Sequence, residues 1–389
     1  MMSRLDKELF LLAFAALAGF TACSGGSGGA SPIDATGTGG NAASGGTSGA
    51  GSGGNAGTGG STGGGSGGAM GSGGAGPGTG GAKTTDGGDA LSPADTATDR
   101  SANDSGNGAP AMAVMRNGHW AFDLGDLTFE VDPMTGGRIT TFALGGKNIL
   151  TGPAVNMLYW GSTFWTSPES QWMQPPPIQI DSAPFTVTST ATSVSMNGPP
   201  SPLLGVSISK TFTTDGARGA VQITYKITNT KQTVVHMAPW EVTRVFPGGV
   251  TFFPTGTKMM LTKNSTLPTT TQNGVTWFSY DAAQITADSK LVADGAEGWM
   301  AHAADGWVFI KKYGDVPPAQ IAPMEGDTEL YTNLLHTYIE MEDQGAYGDI
   351  APGATVAWTV SWYLKPLPAG ASATAGDATL LQFVRDTIR

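Results

Sequence analysis

The sequence predicts an all-β protein, a large antiparallel β-sandwich carrying a short C-terminal helix. Three observations carry that prediction. Residues 111–389 break into short runs of β-branched and aromatic side chains, separated by Gly, Asp and Pro. Several of these runs alternate apolar and polar residues, as a strand does when one face is buried and the other wet. Only Asp377 to Ile388 has the spacing of an amphipathic helix, with Asp377 placed to cap it.

The elements follow in chain order. Arg4 and Lys7 precede an apolar run from Leu9 to Phe20, the grammar of a secretory signal. Asp6 and Glu8 dilute its positive end. The run closes on Phe20-Thr21-Ala22-Cys23, and Cys23 is the only cysteine of the chain. This ending resembles the bacterial lipoprotein signal, although Phe20 stands where that signal usually has Leu. The resemblance implies a signal peptide over 1–22, a lipid on Cys23 and a place in the bacterial envelope. Ser24 after the cysteine favours the outer membrane. Residues 23–110 then read as a tether. Between Ser24 and Pro110 lie 32 of the 59 glycines and no Phe, Trp or Tyr. Such a stretch buries too little apolar surface to offset the entropy of ordering it. Gly25-Gly26-Ser27-Gly28-Gly29 has the spacing of a nucleophile elbow, but lacks the strand and helix that the motif needs.

The domain proper spans 111–389 and holds all 10 Trp and all 8 Tyr. Strands are expected at 120–124, 127–131, 138–142, 185–189, 193–196, 206–213, 220–228, 241–246, 275–280, 307–311, 338–342 and 356–364. The alternation is plainest in Val221-Gln222-Ile223-Thr224-Tyr225-Lys226-Ile227-Thr228. No repeat of 20–50 residues is evident.

Composition excludes several functions. The domain carries 16 Lys+Arg against 23 Asp+Glu, a net of −7, with no basic run. Phosphate-neutralising contact with nucleic acid is therefore not expected. One cysteine makes no disulfide framework. No apolar run reaches the roughly 18 residues of a membrane-spanning helix. The four histidines, His119, His236, His302 and His336, fall into no metal-binding motif, so neither a metal nor a cofactor is expected.

Three segments gather chemistry-bearing side chains. Phe164-Trp165-Thr166-Ser167-Pro168-Glu169-Ser170-Gln171-Trp172 puts two Trp and a Glu on a Pro-containing loop. Aromatic faces suit the C–H faces of sugars, and carboxylates accept from sugar hydroxyls. In Trp240-Glu241-Val242-Thr243-Arg244 a strand would place Trp240, Val242 and Arg244 on one face and Glu241 on the other. In Tyr338-Ile339-Glu340-Met341-Glu342 the two glutamates and Tyr338 share a face. Close carboxylates raise one another's pKa, which suits one of them to general acid–base work near neutral pH. His302 is the candidate partner acid. A buried-Trp loop, a structural Arg–carboxylate pair, a solvated edge strand and an ordinary core histidine are the plain alternatives.

Gly137-Arg138-Ile139 leading to Gly146-Lys147-Asn148-Ile149-Leu150 resembles the opening of galactose-mutarotase-like domains. Phe164-Trp165 with Ser167-Pro168-Glu169, Ala238 to Arg244, Asp294 to Trp299, and Tyr338 to Glu342 are similar, in that order, to an uncharacterised bacterial family of the same superfamily. The resemblance spans nearly all of 111–389. It implies a β-supersandwich that binds sugar on the concave face of one sheet, with Trp165, Glu169, Trp172, Trp240, Glu241, Arg244 and Tyr338 as sugar contacts. It also implies a general-base Glu on a late strand, Glu340 or Glu342. The Asn-x-x-x-His-x-Tyr-Phe strand of aldose 1-epimerases has no counterpart here, and His236 is wrongly spaced for it. Carbohydrate binding is thus the first expectation. An epimerase-type isomerase is the second, and a structural envelope lipoprotein the third. The expected partners are a carbohydrate and, through the lipid, a membrane. The chain is expected to be monomeric.

Overall fold

The computed structural model describes residues 108–257 and 267–389, together with the backbone of the Leu261–Lys263 strand. The signal peptide, Cys23 and the tether lie outside the described residues. Two antiparallel sheets form a sandwich. The 12-stranded sheet runs Val114–Arg116, His119–Leu124, Leu127–Asp132, Arg138–Leu144, Ser162–Ser167, Val235–Val245, Ile339–Gln344, Thr328–Thr332, Ser289–Ala293, Leu261–Lys263, with Lys147–Asn148 and Gly348–Ile350 at its flanks. The 10-stranded sheet runs Thr269–Gln272, Val275–Ser279, Val250–Pro254, Trp299–Ala304, Trp307–Lys312, Thr355–Pro366, Ala220–Asn229, Val206–Asp215, Ser193–Asn197, Thr186–Ser189.

Every expected strand is present, most within a few residues at their ends; the one expected at 241–246 begins at Val235. The strands that alternation misses include Ser162–Ser167, Val250–Pro254 and Trp299–Ala304. All of their residues are buried. A strand covered on both faces needs no polar side, so its period-two signal disappears. The Phe164–Ser167 part of the expected loop is accordingly strand. The chain leaves the sheet only at Pro168, where a single 3-10 turn, Glu169–Gln171, begins.

Aromatic side chains fill the space between the sheets. Phe142 lies 5.6 Å from Phe309 and 5.4 Å from Trp362, ring centre to ring centre, and Phe164 stacks on Tyr225 at 4.1 Å. A buried ionic knot joins the sheets beside them. Lys311 Nζ stands 2.9 Å from Glu241 Oε2 and 2.5 Å from Asp343 Oδ1, with all three side chains fully buried. Tyr225 Oη donates to Glu241, Trp362 Nε1 donates to its other oxygen at 3.3 Å, and Trp358 Nε1 donates to Asp343 at 2.8 Å.

The outer face of the 10-stranded sheet is closed by the helix Ala378–Thr387. Leu380 and Val384 pack there on a second cluster that includes Phe252, Trp277, Trp299 and Ile310. The expected cap is in place: Asp377 Oδ1 accepts from the backbone N–H of Leu380 at 2.8 Å. Asp377→Ala should lower stability by about 1 kcal/mol, the usual worth of such a cap. Chemical denaturation of the full chain measures it, and an unchanged midpoint would show that the helix does not need this cap.

Candidate functional site

The site is built on five adjacent strands of the 12-stranded sheet: Ser162–Ser167, Val235–Val245, Ile339–Gln344, Thr328–Thr332 and Ser289–Ala293. Register brings their side chains into rows. Trp165 stands opposite Trp240, and Trp240 opposite Gln344. Arg244 stands opposite Glu340, Glu340 opposite Tyr331, and Tyr331 opposite Lys290. Glu342 stands opposite Glu329. Residues opposite one another in antiparallel strands share a face. The alternating set, Phe164, Glu241 and Asp343, meets Tyr225, Lys311 and Trp358 of the other sheet. The first set therefore faces away from the sandwich interior.

One half of this face is aromatic. Trp240 packs edge-on against Trp165 at 5.4 Å, and Trp172 covers both, at 5.7 Å from Trp165 and 6.0 Å from Trp240. The indoles are anchored: Trp165 Nε1 donates to Asp181, Trp172 Nε1 to the Thr166 carbonyl, and Trp240 Nε1 to Glu342 Oε2. Arg138, buried, donates to Asp181 at 3.0 Å and to the carbonyls of Leu158 and Trp160. It thereby ties the 151–160 loop to the short helix Ile178–Asp181. Burial lowers this guanidinium to about 10, with Asp181 opposing. The loop returns to the sheet through Gly161, whose φ of +60° and close approach to the Ile139 carbonyl admit no side chain.

The other half is charged. Lys290 Nζ sits 2.6 Å from Glu329 Oε2 and 2.8 Å from Glu342 Oε2, over the Trp240 ring at 4.8 Å. Burial disfavours the ammonium, but Glu329 and Glu342 outweigh it and hold the lysine protonated. Burial raises Glu329 well above the carboxylate range, with Lys290 opposing. Arg244 Nε donates to Glu340 Oε1 at 2.7 Å, and Nη1 donates to Thr163 at 3.2 Å. The guanidinium also lies over Trp165 and Tyr159, at 5.2 and 5.4 Å. Burial, with a smaller push from Glu342, raises Glu340 to about 7 against the pull of Arg244. Glu340 keeps 13 % of its side chain exposed, whereas Glu329 and Glu342 are closed off. Of the two glutamates singled out by sequence, Glu340 alone combines contact with solvent and a neutral-range proton affinity.

Buried polar atoms on this face without a hydrogen-bond partner include Arg244 Nη2, Glu342 Oε1, Gln344 Oε1 and Ser167 Oγ. An orphaned buried donor or acceptor costs about 1–3 kcal/mol, and these follow one another along the Val235–Val245 strand.

The expected residues divide accordingly. Trp165, Trp172, Trp240, Arg244, Tyr338, Glu340 and Glu342 come together, and Glu169 stands at the margin, accepting from Gln174 at 2.8 Å. Two do not join them. Glu241 points into the sandwich, bound in the Lys311 knot, because alternation turns it away from Trp240 and Arg244. His302 belongs to the other sheet, fully buried, with Nδ1 2.8 Å from Thr251 Oγ1. Burial depresses it to about 3, so it stays neutral and is not a partner acid for Glu340. The tryptophans also form a closed cluster rather than an open stacking platform: Trp240 is 2 % exposed. Sequence reading missed Lys290, Glu329, Tyr331 and Arg138. The alternations Lys290-Leu291 and Glu329-Leu330-Tyr331 are visible in the chain, but only register brings these side chains to Glu342 and Glu340.

The family description "domain of unknown function (DUF4380)" matches residues 170–365, half of the chain. No curated protein matches the chain by sequence. Among solved structures, a TPR-domain containing protein from Parabacteroides distasonis is 13 % identical at a TM-score of 0.49, over 64 % of this chain and 47 % of its own. The chain thus spans under half the length of that protein. A galactose mutarotase-like protein from Lactobacillus casei is 12 % identical at 0.46, over 64 % of this chain and 100 % of its own. Another from Clostridium acetobutylicum is 8 % identical at 0.44, over 67 % and 99 %.

Proposed function

The chain belongs to the DUF4380 family, and from that premise we propose that its 12-stranded sheet binds carbohydrate on the face that carries Arg244 and Glu340. The observation that carries this reading is the row of unpartnered polar atoms along that face, Arg244 Nη2, Glu342 Oε1 and Gln344 Oε1, beside one solvent-reaching carboxylate. A polyhydroxylated ring offers donors and acceptors in matching density. Half-buried Tyr159 and Tyr331 stand nearest, and supply aromatic surface that the buried tryptophans do not. Glycan-array binding of the full chain, beside Arg244→Lys, tests it. Lysine keeps the charge but not the planar fork that serves Glu340 and Thr163 together, so glycan signal should fall. Identical signal for parent and variant, or none for either, would overturn the reading.

A second reading, proton transfer at an anomeric centre, is favoured by the place of Glu340, which reaches solvent beside Arg244 and which burial raises to about 7. A general base works best with a pKa near the operating pH. Glu340 would take the proton of the anomeric hydroxyl as the C1=O bond forms and the bond from C1 to the ring oxygen breaks; Arg244 would donate a hydrogen bond to that departing oxygen, which takes its proton from water.

We propose as well that a lipid on Cys23 anchors this domain, a reading supported by the Leu9–Phe20 apolar run that leads to the chain's one cysteine. Cys23→Ala should move the protein from the membrane pellet to a soluble envelope or secreted fraction. Retention of the variant in the pellet would overturn the anchor.

A further inference from the structure

A cavity lies away from that face, where turns of both sheets meet at one end of the sandwich. Its volume is about 270 Å³, and its walls include Lys147, Ile149, Phe246, Pro247, Asp305 and Trp307. This is smaller than the pockets that hold drug-sized ligands and suits a single ring. The elements explain its chemistry. Phe246 and Pro247 follow directly on the Val235–Val245 strand, and Phe246 is left 43 % exposed. Asp305, with φ +50°, turns the chain between Trp299–Ala304 and Trp307–Lys312. It meets Lys147 of the other sheet at 3.0 Å, both side chains more than half exposed. Trp307 is buried, yet its indole N–H has no partner. The His302 ring, 5.3 Å from that indole, likewise has an unpartnered Nε2.

An exposed aromatic ring with an acceptor and a donor side by side at the mouth is complementary to one ligand class. We propose that this cavity is a second carbohydrate subsite that takes one pyranose ring. Phe246 lies against the C–H face of the sugar, and Asp305 and Lys147 take its hydroxyls; Trp307, which lines the cavity, reports its occupancy. The proposal borrows from the proposed function only the class of ligand; its residues are wholly separate from Arg244 and Glu340.

The test follows the Trp307 indole N–H by two-dimensional NMR while the full chain is titrated with methyl glycosides of glucose, galactose, mannose and N-acetylglucosamine. Trp307→Phe identifies the signal. At least one glycoside should shift it saturably. Phe246→Ala should weaken that titration roughly twofold to tenfold, the worth of one aromatic contact, while Glu340→Gln should leave it unchanged. A signal that no glycoside moves, or one that Phe246→Ala leaves untouched, would overturn the subsite. Loss of the shift in Glu340→Gln would also overturn it, by assigning the effect to the other face. Failure of the glycan array with success here would leave this subsite standing and remove only the Arg244–Glu340 reading.

Discussion

Lys311→Met should destabilise the domain by roughly 3–5 kcal/mol, the cost of breaking a buried ion pair from one side. The substitution keeps most of the side-chain length, so the loss is not chiefly one of packing. It leaves Glu241 and Asp343 facing each other between the sheets without the ammonium that neutralises them. That amount is a large part of the 5–15 kcal/mol by which domains are ordinarily stable. Adding Asp343→Asn to the variant should recover part of the loss, because the amide removes a charge and its oxygen can still accept from Trp358 Nε1. Urea denaturation of the single and double variants checks this. A Lys311→Met midpoint equal to the parent's would show that the knot contributes nothing.

The same knot sets a pH dependence. Burial raises Asp343 to about 7, with Lys311 opposing and Glu241 adding to the rise. Its unfolded value is about 3.9. A group whose folded pKa is the higher one contributes its stability in full below the unfolded value. That contribution disappears as pH rises, here between about pH 4 and 7. Asp343→Asn should therefore flatten the decline in stability across that window. A steeper decline in the variant would contradict the assignment.

Glu340→Gln should reduce anomer exchange of a responsive sugar by about 10²–10⁴-fold, the contribution of a general base, if the proton-transfer reading holds. The amide preserves shape and an oxygen that accepts from Arg244 Nε, so the site stays assembled. The pH profile separates chemistry from structure. With Glu340 near 7, the parent's rate should climb through about pH 7 as the carboxylate loses its proton, and the variant's residual rate should lack that rise. Exchange NMR on free sugars measures both. A parent that binds a sugar but never exchanges its anomers removes the catalytic reading and leaves the binding one intact.

Much of this protein was legible along the chain. The β class followed from turn residues between alternating runs, and the C-terminal helix and its Asp377 cap from a single periodic stretch. The shared face of Trp240 and Arg244, and that of Glu340 and Glu342, followed from the period of a strand, because successive side chains point to opposite sides whatever lies around them. The domain's net negative charge was equally set by composition. Pairing was not. Arg244 and Glu340 are 96 residues apart, and Lys290 is 39 and 52 residues from Glu329 and Glu342. No local rule joins such positions; register between strands does. Burial was decided there too. It closed Trp240 beneath Trp172 and turned Glu241 into a partner of Lys311. It also kept His302 neutral in the opposite sheet and left Glu340 as the carboxylate that reaches solvent. A side chain's face is a property of its own strand, but its neighbours, its dielectric surroundings and hence its proton affinity belong to the packed sheets.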